Sequence, residues 1–195
     1  MTETIPIHKL PPQLPAILTA TKAIGFPMAS DTLTGALLRT LAASKTGSHL
    51  LEIGTGTGLS TAWLLDGMDA TAKLTTVDID ADTVAIAQCH LGHDERLTFH
   101  VGDGGAFLES LEPASFDLIF ADSWPGKYTH LDTTLALLKV GGLYVIDDML
   151  PQSNWPDDHP PKVEALLARL HAEDNLHVTQ LDWASGMVVA TRRGG

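Results

Sequence analysis

The sequence predicts an α/β domain, a doubly wound and mostly parallel sheet with helices on both faces. Three observations carry this. From Ser30 onward, short apolar runs alternate with amphipathic stretches, and such alternation closes into a parallel sheet with right-handed crossovers. A glycine-rich loop stands where the first apolar run gives way to a helical stretch. The composition, 44% hydrophobic and 18% charged over 195 residues, suits one globular core.

Residues 1–27 hold five of the eleven prolines and read as an N-terminal arm with a short helix near Ala16–Ala23. Residues 28–195 form the domain proper. Leu33, Leu37, Leu38 and Leu41 recur at helical spacing behind Ser30 or Asp31 as N-cap. Apolar runs at His49–Ile53, Leu74–Val77, Leu97–Val101, Phe116–Ala121 and Leu143–Ile146 read as strands. Between them lie helical stretches at Leu59–Leu65, Asp82–Cys89, Gly105–Leu111 and Tyr128–Leu138. A helix at Lys162–His171 and two closing apolar segments, Leu176–Leu181 and Met187–Thr191, complete the chain. Pro151–Pro161, rich in Pro and Asp and containing Trp155, is long enough to form a lid.

Charge narrows the function. Twelve Lys and Arg against 24 Asp and Glu give a net charge of −12. Nucleic acids and anionic membranes need a basic face, so neither is an expected partner. The single Cys89 cannot form an internal disulfide, and no basic-then-apolar leader or long apolar run occurs. The expectation is a soluble cytoplasmic protein.

The loop reads Leu51-Glu52-Ile53-Gly54-Thr55-Gly56-Thr57-Gly58-Leu59-Ser60. Glycines there admit positive φ and close approach of a ligand, beside the free N–H groups of a helix start. About twenty residues on, Asp78 ends the next apolar run, where a carboxylate accepts ribose hydroxyls. A tight turn alone would explain the glycines but not the paired acid. A nucleoside-bearing cofactor explains both. Leu59 stands where a dinucleotide fingerprint has its third glycine, which disfavours NAD.

Taken with Met28-Ala29-Ser30, Val77-Asp78-Ile79, Val101-Gly102-Asp103, Asp122-Ser123-Trp124 with Tyr128, and Ile146-Asp147-Asp148, the loop resembles the catechol/caffeoyl-CoA O-methyltransferase family. That family belongs to the class I S-adenosylmethionine-dependent methyltransferases, and the resemblance covers about residues 26–193. It implies a seven-stranded Rossmann-like sheet with its last strand antiparallel, and S-adenosyl-L-methionine as cofactor. It implies that Met28 and Ser30 flank the amino-acid end of the cofactor, that Gly54, Thr57 and Ser60 cradle it, and that Glu52 and Gly58 also belong to the cofactor site. Asp78 would hold the ribose, Ile79 and Gly104 would border the adenine, Trp124 would pack on the cofactor, and Asp103 and Asp122 would also belong to the cofactor site. Bacterial relatives are commonly dimers, which implies a homodimer. The acceptor implied is a small aromatic, catechol-like hydroxyl compound.

Asp122 ends one buried strand and Asp147-Asp148 end the next. Three carboxylates converging there repel unless neutralised. Strand-end acids can also cap helices or sit solvated, but a divalent cation is the reading the resemblance favours, with Asp122, Asp147 and Asp148 as ligands. Oxygen-only ligands point to magnesium, manganese or calcium. The family carries Asn where Asp148 stands, and a lysine base where Pro125 stands. Lys127 takes that role only if the Pro125-Gly126 turn redirects it, so Asp122, Asp147 and Lys127 are the catalytic candidates. Without a base, the chain would be an S-adenosylmethionine-binding sensor or partner-binding module. Of the remaining features, His90, His93 and His100 read as surface residues, and Asp157-Asp158-His159 as solvated charge. Trp155 and Trp183 read either as aromatic walls for an acceptor or as packing.

Overall fold

The structure is a computed structural model that describes residues 9–152 and 155–194. Two helices lead, α1 (Leu14–Ala23) and α2 (Thr32–Ala43). Strand β1 (His49–Ile53), helix α3 (Leu59–Gly67), strand β2 (Lys73–Asp78), helix α4 (Ala81–Leu91) and strand β3 (Leu97–Val101) follow. Then come α5 (Gly104–Glu109), β4 (Phe116–Ala121), α6 (Leu131–Leu137), β5 (Leu138–Ile146), α7 (His159–His171), β6 (Leu176–Leu181) and β7 (Met187–Arg192). The seven strands form one sheet in the order β3-β2-β1-β4-β5-β7-β6. Only β7 runs antiparallel, pairing with both β5 and β6. This is the expected Rossmann-like sheet.

The pleat sorts each strand between two cores. Along β1, Leu50 faces a cluster with Leu14, Ile17, Leu38, Trp63 and Leu64 from α1–α3. Leu51 and Ile53 face the opposite cluster, with Leu108 of α5, Leu137 of α6, and Val163, Leu166 and Leu170 of α7. Each such buried side chain contributes roughly 1.5–3 kcal/mol. The described part of the N-terminal arm packs on the domain itself, since Leu14 and Ile17 are fully buried in the first cluster.

Two neighbouring elements differ from the expectation, a helix and the strand after it, which begins at Leu138 rather than Leu143. The helix anticipated over Tyr128–Leu138 begins only at Leu131, after His130 in a left-handed conformation, and Leu138 already belongs to β5. The segment Trp124–Thr129 is instead a compact turn, closed by Gly126 N–H donating to the Thr129 carbonyl. Leu135, Leu137 and Leu138 are apolar enough for either state, and pairing of Leu138 with Phe116 of β4 decides it.

Candidate active site

The strand order reverses between β1 and β4, and open α/β sheets bind ligands outside the carboxyl ends of their strands at that point. Gly54 follows β1, Asp78 ends β2, Asp122 follows β4 and Asp147 follows β5. Sheet register therefore gathers residues 24 to 93 positions apart onto one edge. They open on a cavity of about 680 Å³ that also touches Met28, Ser30, Thr57, Ser60, Trp124, Lys127 and Asp148. That volume lies within the range of small-molecule sites.

The glycine loop is held from beneath. Asp122 N–H donates to the Ile53 carbonyl at 2.9 Å, bringing β4's end against Gly54. A Cβ on Gly54, whose φ is +107°, would lie 2.8 Å from the Asp122 carbonyl oxygen. Only glycine fits there. Asp78 accepts from Gly56 N–H at 2.8 Å and Asp80 N–H at 3.0 Å, so the expected ribose acid also shapes the loop. Thr57 Oγ1 meets Thr21 Oγ1 of α1 at 2.7 Å.

Several expected cofactor residues stand behind this wall rather than in it. Glu52 has no exposed surface. Its Oε2 accepts from Thr61 at 2.5 Å and Thr76 at 2.7 Å, while Oε1 has no partner. Burial pushes its carboxyl up to about 7, against the pull of those hydroxyls. Gly58 caps α3 and backs onto Ala87 and Leu91. Asp103 spends its carboxylate on Ala106 N–H as the N-cap of α5. Gly104 faces Pro125. Ile79 is 72% exposed beyond Asp78, outside the cavity lining.

The Pro125-Gly126 turn does redirect Lys127. Gly126 takes φ +87°, and a Cβ there would lie 2.6 Å from Ile53 Cδ1. The Tyr144 hydroxyl, fully buried, donates to the Gly126 carbonyl. Lys127 is consequently 5% exposed, its Nζ donating to the Asp147 carbonyl at 2.9 Å and lying 3.9 Å from Asp122 Oδ1. Burial pushes the Asp122 carboxyl up to about 8, opposed by Lys127 and reinforced by Asp147 and Asp148. Asp147 is also raised, chiefly by burial, against a hydrogen bond from Ser185.

The three strand-end aspartates do not fit the expected divalent ion. Asp122 Oδ2 accepts from Ser30 Oγ at 3.1 Å. Asp147 Oδ1 accepts from Asp148 N–H at 2.8 Å and from Ser185 Oγ. The charge beside them is an ammonium. Among the described residues, no three His, Cys, Asp or Glu side chains are arranged to hold a metal.

Facing these groups is an aromatic wall. Trp155 packs on the His159 ring at 4.4 Å between centroids, and Tyr128 stands edge-on to it at 5.3 Å. His159 Nε2 lies 3.1 Å from the Tyr128 hydroxyl. Burial lowers the His159 pKa, and raises that of Tyr128 to about 12. His159 is therefore part of the cavity and not solvated charge. Trp183, by contrast, packs on the core and donates Nε1–H to the Leu33 carbonyl. Gln152 and Ser185 line the cavity too, and their sequence contexts carry no signal for it.

An O-methyltransferase family model matches residues 13–193. The chain belongs to the O-methyltransferase family. It is 32% identical over 169 residues to a Mycobacterium tuberculosis protein described as a probable O-methyltransferase, covering 81% of this chain and 75% of that one. A Klebsiella pneumoniae protein of solved structure is 27% identical, with a TM-score of 0.83 over 96% of this chain and 93% of its own. The Streptomyces achromogenes O-methyltransferase TomG, solved with SAM, shares the fold at a TM-score of 0.83 and 24% identity, covering 95% and 92%. Family and fold agree with the resemblance to class I S-adenosylmethionine-dependent O-methyltransferases. No helix among the described residues is long and apolar enough to cross a membrane.

Proposed function

We propose that this O-methyltransferase binds S-adenosylmethionine across the glycine loop and methylates a hydroxyl of a small aromatic, catechol-like acceptor. One observation carries the reading. The glycine loop with Asp78, and the aromatic wall with Lys127, are two ends of a single cavity.

The residues fit the cofactor. Gly54 and Gly56 bring backbone to the cavity lining, Asp78 presents a carboxylate for the ribose, and Thr57 and Ser60 line the helix start. When bound, the cofactor supplies a sulfonium methyl group, whose carbon–sulfur electron pair stays on sulfur as the acceptor oxygen forms the new bond. The protein's own work is positioning and proton handling. Trp155, Tyr128 and His159 give a flat ring an apolar wall. Lys127 Nζ then offers a charged donor to the acceptor oxygen and stabilises the anion that attacks. The hydroxyl proton leaves through the Asp122–Lys127 pair to water. A cytoplasmic homodimer is part of the proposal, resting on the single cysteine and on the family resemblance.

Calorimetry with S-adenosylmethionine and NAD, followed by mass spectrometry of a catechol panel, tests it. Methylated product supports the assignment. Binding without turnover across the panel would replace it with the sensor reading, and preference for NAD would remove it.

A further inference from the structure

We propose that the buried ammonium of Lys127 occupies the place of a divalent ion at the strand-end carboxylates, so that methyl transfer here needs no metal. The inference rests on the O-methyltransferase reading above and concerns how that same site neutralises its charge.

Strands β4 and β5 are paired neighbours, with Ala121 opposite Ile146, so Asp122 and Asp147 emerge side by side. Asp147 is 3% exposed and the Asp122 side chain 14%, and their charges would oppose one another without a cation. Two kinds of cation answer that need, a bound ion or a side chain. Lys127 is the side chain. Its Nζ sits 3.9 Å from Asp122 Oδ1 and 2.9 Å from the Asp147 carbonyl oxygen, which puts a positive charge between the two strand ends. A divalent ion also needs carboxylate oxygens turned toward it, with water completing its shell. Here Asp147 Oδ1 is held by Ser185 Oγ and the Asp148 N–H, and Asp122 Oδ2 by Ser30 Oγ. Those hydrogen bonds hold the carboxylates in an arrangement in which, among the described residues, no metal-binding group forms.

The placement of Lys127 follows from the two residues before it. Pro125 stands where the resembled family has its lysine, and the left-handed Gly126 then swings the next residue inward. The Tyr144 hydroxyl fixes that turn from β5. The cation thus arrives two positions late and enters from the β4–β5 side. It carries one charge where a metal carries two, which suits an acceptor bound through one oxygen rather than chelated through a pair.

The test uses the full-length protein saturated with S-adenosylhomocysteine, with Mn²⁺ as probe and electron paramagnetic resonance as readout. Binding is counted only where Asp122→Asn abolishes it. Wild type should bind no Mn²⁺ at this site up to millimolar concentration, and its methyl transfer should change less than about twofold on exhaustive chelation. Lys127→Ala should lose roughly 10²-fold or more in rate and acquire Mn²⁺ binding. Micromolar Mn²⁺ binding by wild type, or activity lost on chelation and restored by Mn²⁺, would overturn the inference. So would Lys127→Ala that binds cofactor normally yet takes no Mn²⁺. Should wild type bind neither S-adenosylmethionine nor any acceptor, the function assignment fails instead, and the wild-type Mn²⁺ measurement, repeated without cofactor, still decides the present point.

Discussion

Replacing Glu52 by Gln should stabilise the protein at neutral pH and flatten its pH dependence. Glu52 lies under the glycine loop with no exposed surface, one oxygen bound by Thr61 and Thr76 and the other unpartnered. Burial raises its carboxyl from 4.5 to about 7. A folded pKa above the unfolded one means that the native state holds the proton more tightly. The resulting stability is therefore complete below about 4.5 and lost as pH rises through about 7. At about 1.4 kcal/mol per pH unit, that interval is worth about 3 kcal/mol. Glutamine keeps an acceptor for Thr61 and Thr76 and never ionises. Around pH 5 the two proteins should agree within roughly 1 kcal/mol, and around pH 8 the variant should be about 3 kcal/mol more stable. Urea titrations followed by tryptophan fluorescence, at matched m-values, measure this. A stability difference between the two proteins that stays constant from about pH 5 to about pH 8 would show that Glu52 is ionised throughout, and would refute the reasoning.

Three further outcomes are expected. Asp78→Ala should weaken S-adenosylmethionine binding by roughly 1.5–3 kcal/mol in calorimetry, through loss of a carboxylate that also orders Gly56; an unchanged affinity would place the ribose elsewhere. Gly126→Ala puts a methyl against Ile53 at a positive φ, so it should cost about 1–3 kcal/mol in denaturation and cut turnover by moving Lys127, with cofactor affinity preserved. His159→Phe keeps the ring packing on Trp155 but loses the Tyr128 hydroxyl contact; acceptor KM should rise several-fold, on the order of 1 kcal/mol, while cofactor affinity stays fixed, and a shift in cofactor affinity instead would remove His159 from the acceptor wall.

Much of this molecule is written locally. The strands His49–Ile53, Leu97–Val101, Phe116–Ala121 and Leu176–Leu181 have the bounds that the sequence predicts. The central pair, His49–Ile53 and Phe116–Ala121, are apolar nearly throughout because both their faces are buried, while the other two lie at the edges of the sheet and keep exposed polar positions. The loop from Gly54 to Ser60 and the acids at strand ends carry the family, since those residue types have few other uses in that order. What the sequence leaves open is where side chains point. Lys127 is a catalytic candidate in the sequence only on condition that the turn redirects it, and Tyr144, from the next strand, fixes the turn that does so. Glu52 reads as a cofactor ligand until Thr61 and Thr76 close over it. His159 joins the site only because α7 begins there and brings it to Tyr128, 31 residues back along the chain. Backbone periodicity is a short-range property that each segment sets for itself. Charge compensation, burial and hydrogen-bond partners are properties of neighbours distant in sequence, and only the assembled sheet decides them.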